Sequence, residues 1–545
     1  MVRKPTESDG LARLDPRGPD TRPAAWERCW SWLEIGLIFL LFCALAATPP
    51  PDVNEAHYLA KAKHYWDPAW CRGDFFLESA DAHVAFYWTA GWLTRFLSLE
   101  AVAWTGRIVT WALLACAWHG LSRTLISARF CSVLTAGLFA ALLQHAHMAG
   151  EWVIGGFEAK GLAYVLVLFA LQALVSGRWL LVWPLLGLAS SYHVLVGGWS
   201  VVAAFLAWLL SRDRTSWSRF GLSLCAGFLL ALPGLLPSAA LTWGTEGEIA
   251  HQAARVYVFE RLGHHLVFHR LASYLVQRHL ALLGVWLLLV LLVRNDARFR
   301  RLCGFVAGAV LLAVIGAAVD YTLRHQPTWA ASLLRFYWFR LSDVALPLGV
   351  SLCAVACATW LQPRWPMISR VPLWTAGLLV VGNAAATAWQ HQRDWRPGAV
   401  AQTTATSRLS VQRLQIRYRA WREACRWIAV NTPPDATFYT PRYQQTFKWY
   451  AERPEAVNWK DVPQDARGLV EWWQRMQDLY PRTPDGLSVP MHQLDLPRLA
   501  QRYGFRYLLV DRTRTFRRPP YTKVFPRNTS AVSLYEVYCL TPRED

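Results

Sequence analysis

The chain has 545 residues, of which 54% are hydrophobic, 14% aromatic and only 17% charged, and its formal net charge is +19. Such a composition excludes an ordinary soluble domain, although the mean hydropathy of +0.18 is modest because it averages an apolar stretch from Ser31 to Gln390 with a polar remainder. Only seven lysines, Lys4, Lys61, Lys63, Lys160, Lys448, Lys460 and Lys523, stand against a crowd of arginines, so arginine counts are discounted as compositional bias and no nucleic-acid partner is expected.

Residues 1–30 carry Arg3, Lys4, Arg13, Arg17, Arg22 and Arg28 among several prolines and read as a basic cytoplasmic arm. The first apolar run, Trp32 to Thr48, ends in Pro49, Pro50 and Pro51 without an A-x-A cleavage site, and many apolar runs follow, so it reads as a span and not as a signal peptide. A first outer loop follows, over 49–100. Read as a helix, 53–66 puts Asn54, His57, Lys61 and His64 at spacings of three and four, the pattern of a helix lying on a membrane surface. Asp52 and Glu55 admit two readings. In one, favoured by the spacing, Asp52 caps the helix and Glu55 reaches back from its third position as a capping box. In the other, both carboxylates face a polar substrate just outside the bilayer.

Further apolar segments run near 101–122, 130–148, 159–176, 179–193, 194–210, 220–240, 280–293, 303–321, 344–361 and 371–390. With ~20 residues needed to cross a bilayer, they predict an α-helical polytopic membrane domain over 31–391 with about eleven transmembrane helices. Arg123 and Arg129, then Arg178, then Arg212, Arg214 and Arg219, then Arg294, Arg298, Arg300 and Arg301, and last Arg364 and Arg370 fall in alternate short connections. The positive-inside rule places those connections in the cytoplasm, which leaves the amino end inside and the carboxyl end outside a cell membrane. No internal repeat is visible, which weighs against transporter folds built from paired halves.

The polar residues of interest then gather on the outer face. GEWVIGGFEAKG, 150–161, sets Glu151, Glu158 and Lys160 around a glycine pair at the start of a span, where ionisable groups are costly. Glu158 there suits a helix start, and Lys160 either pairs with it, snorkels, or neutralises a lipid phosphate. ERLGHHLVFHR, 260–270, groups His264, His265 and His269 with Arg261 and Arg270. The four-residue spacing of His265 and His269 suits a metal on a helix, but no third ligand is evident, and phosphate binding or interfacial exposure is preferred. In RFYWFRLSD, Arg340 and Asp343 are spaced for a salt bridge, whereas Arg335 has no such partner and suits an anionic ligand. His193 reads as a satisfied core residue. Cys425 and Cys539 share the tail and are spaced to allow a pair, while the other cysteines sit mostly in apolar runs.

From about Gln392, β-like runs such as ATFYT, RYLLVD and VSLYEVY alternate with helical patterns at Arg422–Val430 and Gly468–Tyr480, predicting a small extracytoplasmic α/β domain over 392–545. It carries 25 basic and 15 acidic residues, a balance that suits either anionic headgroups or a plain solvated face. Asn528 opens a glycosylation sequon, NTS.

The stretch from NEAHYLAKAKHYWDPAW through DAHVAFYWTAGWL to TGRIVTWALLACAW resembles the first outer loop and second span of the GT-C membrane glycosyltransferases, the class of protein mannosyltransferases and lipid A aminoarabinose transferases. Glu55, Tyr58, the turn from His83 to Trp88 and Arg107 match that pattern. Asn54 stands where the first Asp of the pair is usual, and Val84 and Ala85 stand where prolines are. The resemblance implies a GT-C-like fold and transfer of a sugar from a polyprenyl phosphate-linked donor to an acceptor outside the membrane. It implies Glu55 or Asp52 as the catalytic base. Lys160, Arg335, the His264 and His265 region or a divalent metal ion would then neutralise the departing phosphate. Candidate substrate contacts are Asn54, His57 and Lys61 on the outer-loop helix, Asp81 and His83 in the turn, Glu158 and Lys160, His264 and His265, and Arg335 and Arg340. The competing reading is a non-catalytic protein, a transporter or lipid-phosphate binder, using the same outer cavity.

Overall fold

The computed structural model describes residues 23–362, 366–403, 409–515, 517–527 and 533–540. The arm from Arg3 to Arg22, Arg364 and the sequon at Asn528 lie outside the described residues. Helix α1 (Pro23–Ala46) leads into a loop that bears α2 (Glu55–Trp66) and the short α3 (Val84–Thr89). Six apolar helices follow, α4 (Leu99–Leu125), α5 (Cys131–Ala146), α6 (Ala159–Val175), α7 (Trp179–Tyr192), α8 (Val194–Leu210) and α9 (Trp217–Ala240). A long connection holds α10 (Gly247–Arg255) and α11 (Gly263–Leu266) ahead of α12 (Ser273–Val293) and α13 (Ala297–Thr322). After α14 (Pro327–Leu334) come α15 (Arg340–Leu361) and α16 (Pro366–Arg393).

Seven of these helices, α1, α4, α9, α12, α13, α15 and α16, are long and apolar enough to cross a membrane, and α5 to α8 are apolar but shorter. This is the plan of a polytopic helical membrane protein. Small residues let the helices close on one another without a water-driven force between them. A side chain at Gly187 of α7 would collide with the backbone carbonyl of Gly227 on α9, and one at Gly308 of α13 would stand 2.7 Å from the Cα of Ala203 on α8.

The connections sort to two ends of the bundle. At one end Arg129 donates to Glu27 at 2.9 Å, Arg298 to the Thr124 carbonyl at 2.8 Å, and Arg301 to the Val175 carbonyl at 2.5 Å and to Asp213. The Arg-bearing connections after α4, α6, α8 and α12 therefore share that end. The loop after α1, the 147–158 segment, the α7–α8 turn and the segments after α9 and α13 share the other, where they meet the carboxyl-terminal region.

That region begins with α17 (Gly398–Thr403) and α18 (Val411–Asn431), followed by β1 (Phe438–Tyr439), α19 (Phe447–Ala451), α20 (Ala466–Leu479), α21 (Leu496–Tyr503), β2 (Tyr507–Asp511), β3 (Thr522–Phe525) and β4 (Tyr535–Cys539). The sheet order is β1-β2-β4-β3, with β1 parallel to β2 and the other pairs antiparallel, Leu508 facing Tyr538 in register. Leu508 and Val510 point into one apolar cluster with Trp472 and Met476 of α20, while Leu509 points into the other with Trp421 and Ile428 of α18. A sheet between two helical layers results, as the alternation of β-like and helical runs predicts.

Three sequence expectations change. Helix α2 does not lie on a surface: Ala56, Tyr58, Leu59, Ala60, Lys61, Ala62 and His64 are buried, because Trp70, Phe76, Leu77 and Phe86 of the same loop and Trp449 pack around it. The ionic residues on it are paid for by partners rather than by water. Asp52 does not cap α2, whose N-cap is Asn54. Glu55 does reach back to the Asp52 amide at 2.7 Å, so half of the capping box forms. Cys425 and Cys539 are not joined by a disulfide, and Cys425 is sealed against Trp421 and Ile428.

Candidate functional site

A cavity of about 830 Å³ lies where the helix ends opposite the arginine-bearing connections meet the carboxyl-terminal region. Its floor comes from Lys160 at the start of α6, from Ser191 to Leu195 between α7 and α8, and from Arg335 to Arg340 ahead of α15. One side is the first outer loop, through Asn54, His57, Tyr58 and His83; another is the 253–265 segment, through Tyr257, Arg261, His264 and His265. The roof is the carboxyl-terminal region, through Tyr443, Gln445, Trp459, Lys460 and Gln464. Beneath it, Tyr164, Val196, Trp199 and Leu341 leave about 10 Å³ of further space, no more than about one water needs.

The charge on the walls is one-sided. Lys160, Arg261, Arg335, Arg340, Lys460 and Arg514 line the cavity together with five histidines, and among the described residues no Asp or Glu does. Two of the cations are already neutralised from behind. Lys160 lies 3.2 Å from Glu151 and 3.5 Å from Glu158 and stands over the Trp152 ring, and Arg340 lies 3.0 Å from the other oxygen of Glu151. The remaining four have no carboxylate within ion-pair distance among the described residues. Arg261 donates to the Trp459 carbonyl at 3.1 Å and stacks on that ring, and Lys460 donates to Gln402 at 3.3 Å. Burial, and secondarily the neighbouring Arg261, pushes the Lys460 ammonium down to about 8, and burial lowers the Arg261 guanidinium as well. Each has lost water without gaining a carboxylate at ion-pair distance among the described residues, so an anion entering here would complete its pairing.

The histidines are held neutral. Burial brings His83 down to about 4 and His265 to about 2, the latter helped by His264, whose ring stacks on it at 4.0 Å. His265 donates from Nδ1 to the Ala149 carbonyl at 2.7 Å, which leaves Nε2 with its lone pair. His57 alone among the five meets a carboxylate, donating from Nδ1 to Asp461 at 3.3 Å. Asp461 is in turn 2.6 Å from Lys448, which also sits 2.6 Å from Glu455 and 3.4 Å from Asp74, so one buried lysine ties three carboxylates from the outer loop and the outer region. Lys448 first, and then His57, hold the Asp461 carboxyl below its ordinary range against the opposing effect of burial.

Of the residues singled out in the sequence, Asn54, His57, His83, Lys160, His264, His265, Arg335 and Arg340 converge on the cavity. Glu158 stands just behind its wall, accepting from the Asn54 amide at 2.9 Å. The others are elsewhere. Glu55 is 1% exposed and fully engaged, taking both Arg107 donors at 2.6 and 2.5 Å as well as the amides of Asp52 and Phe157. Asp52 accepts from the Val53 and Gly156 amides at 2.8 and 2.9 Å, which pins the outer loop to the glycine pair. Neither acid is among the residues that line the cavity, and both hold the loop after α1 in place. Lys61 gives its protons to the carbonyls of Phe76, Leu77 and Ser79 at 3.0, 2.8 and 2.5 Å and lies 3.5 Å from Asp81, stitching the outer loop to itself. Arg340 does not pair with Asp343, which instead accepts from the amides of Met148, Ala149 and Glu151. His269 leaves His265 and pairs with Asp320 at 2.9 Å. No group of three or more His, Cys, Asp or Glu side chains able to hold a metal ion occurs among the described residues, and a carboxylate-free wall of neutral histidines and cations does not suit a hard divalent ion.

Sequence reasoning passed over Lys460, Asp461 and Arg514, because nothing local marks a roof residue. One signal was present: in a chain so rich in arginine, lysine is rare, and Lys61, Lys160 and Lys448 are all buried in polar networks.

A protein-family model described as a domain of unknown function (DUF6798) matches residues 419–479. That stretch runs from α18 through β1 and α19 to α20 and carries Lys448, Glu455, Lys460 and Asp461. No curated protein matches the chain.

Proposed function

We propose that the chain is a GT-C-like membrane glycosyltransferase, which moves a sugar from a polyprenyl phosphate-linked donor to an acceptor on the outer face. The observation that carries this reading is the cavity wall of six cations without a carboxylate, set at the level where helix ends meet the outer region. Such a wall selects a phosphate headgroup, and cations in a partly desolvated site stabilise charge that develops on a leaving phosphate. Arg261, Lys460 and Arg335 are the grip, since Lys160 is balanced by Glu151 and Glu158. Apolar helices around the site give the polyprenyl chain a place in the bilayer. The arginine-bearing end of the bundle faces the cytoplasm and the carboxyl-terminal region faces outward. A transporter needs a path below the cavity, and the space lined by Tyr164, Val196, Trp199 and Leu341 beneath it, about 10 Å³, is too small to serve as one. A binder of lipid phosphate that performs no transfer uses the same wall.

The test has two arms. Purified full-length protein in lipid nanodiscs should bind polyprenyl phosphate, and Arg261→Met with Lys460→Met should weaken binding at least ~10-fold, since each charged hydrogen bond contributes about 1.5–3 kcal/mol. A panel of sugar-linked polyprenyl phosphates should then be turned over with release of polyprenyl phosphate. Binding indifferent to both substitutions sinks the reading, and binding without turnover of any donor leaves the lipid-phosphate binder in its place.

A further inference from the structure

The cavity offers no carboxylate to take a proton, yet a transferase that attacks with a hydroxyl needs a base. We infer that His57 is that base and that Asp461, from the carboxyl-terminal region, is its positioning residue; this rests on the transferase reading above. Three observations carry it. His57 lines the cavity, and it is the one lining histidine with a carboxylate partner among the described residues. Its ring is fixed on both sides, tilted on Phe76 at 4.3 Å and set edge to face with Tyr58 at 5.6 Å. Asp461 is itself held by Lys448 at 2.6 Å, so the carboxylate cannot turn away. The donation from Nδ1 to Asp461 fixes the tautomer and leaves the Nε2 lone pair as the acceptor.

The other candidates serve less well. Lys460, at about 8, is mostly protonated at neutral pH and has no lone pair to offer. His83 is shared between the Tyr58 hydroxyl at 3.3 Å and the Gln464 amide at 3.5 Å. His265 has no acid behind it to stabilise an imidazolium.

The step balances as follows. The acceptor O–H gives its proton to His57 Nε2 while its oxygen forms a bond to the anomeric carbon. The bond from that carbon to the phosphate oxygen breaks, its electron pair staying on the departing polyprenyl phosphate. The imidazolium, stabilised by Asp461, returns its proton to water. A single displacement inverts the anomeric centre.

The charged and titratable groups around His57 set the pH dependence. Burial lowers its pKa, with Lys460 and Lys61 acting in the same direction, and Asp461 raises it; His83 and the Tyr58 phenol are the other titratable rings nearby. A lowered pKa means a base that is free across the neutral range, so turnover should hold a plateau there and fall only as pH drops below the ordinary histidine value of 6.5. Removal of the Asp461 charge should carry that acid limb to still lower pH.

Full-length protein in nanodiscs, with polyprenyl phosphate as binding probe and its release from sugar-linked donors as turnover, decides the matter. His57→Gln should lose ~10²- to 10⁴-fold in turnover, with polyprenyl phosphate affinity and melting temperature near wild type. Imidazole should restore turnover to His57→Ala, and Asp461→Asn should shift the acid limb downward. Turnover in His57→Gln within about threefold of wild type, or an acid limb unmoved in Asp461→Asn, overturns the assignment while leaving the transferase reading intact. Wild-type protein that binds polyprenyl phosphate but turns over no donor overturns both.

Discussion

At the scale of single residues, the acids that draw the eye in the sequence do one kind of work and the acid that matters to the cavity does another. Glu55 and Arg107 are 1% and 0% exposed and joined in a bidentate pair, so neither can lose its partner cheaply. Glu55→Gln should lower stability by about 3–5 kcal/mol, the usual cost of stranding one member of a buried pair. Pairing it with Arg107→Met should restore part of that loss, as thermal unfolding in detergent would report. If Glu55→Gln instead melts like wild type and turnover vanishes, Glu55 is the base after all and the assignment to His57 falls. Spacing alone could identify Glu55 as special, since the amide of Asp52 is its local partner, but Arg107 is 52 positions away and belongs to another helix. The resemblance to the GT-C pattern named both residues without saying that they hold each other.

Among the elements, legibility follows the length of the apolar run. The spans stand out because ~20 apolar residues have few alternatives, and ATFYT, RYLLVD and VSLYEVY stand out because β-like alternation is local. What local pattern misses is cover. Helix α2 has the spacing of a surface helix, and residues 70–79 of the same loop, together with Asp461 of the carboxyl-terminal region, turn that polar face into a buried one. The start of α12 at Ser273 was likewise hidden, because Gln277, Arg278 and His279 break the apolar run that the eye follows from Leu280. Helix pairing was also out of reach, though the glycines that permit it are visible. Gly187→Leu should force α7 from α9 and cost about 3 kcal/mol or more, at or above the top of the usual range for overpacking. A Cβ at Gly198 meets nothing within 4 Å, so Gly198→Leu should stay within about 0.5 kcal/mol. Equal melting temperatures for the two variants would dismiss the close α7–α9 approach.

For the whole molecule, the sorting of arginine-bearing connections to one end of the bundle makes orientation a measurable quantity. A reporter active only outside the cytoplasm should work when fused after Asp545 and fail when inserted after Arg301. The reverse result would put the cavity on the cytoplasmic side and remove the outer-face acceptor from the proposal. The sequence reached the alternation by counting charges, and it reached the region beyond Gln392 by its loss of hydropathy. It could not reach the cavity, because the walls are supplied by an outer loop, several helix ends and a roof that no single window contains.

His57 and Asp461 are 404 positions apart. At a synthesis rate of ~5–20 residues per second, His57 leaves the ribosome on the order of 20–80 s before its partner exists. Throughout that interval the bundle can already be in the bilayer and in contact with lipid, yet the imidazole has no acid behind it and the cavity no roof. If His57 and Asp461 act as proposed, a chain that stops before Asp461 lacks the acid behind the base and should turn over no donor.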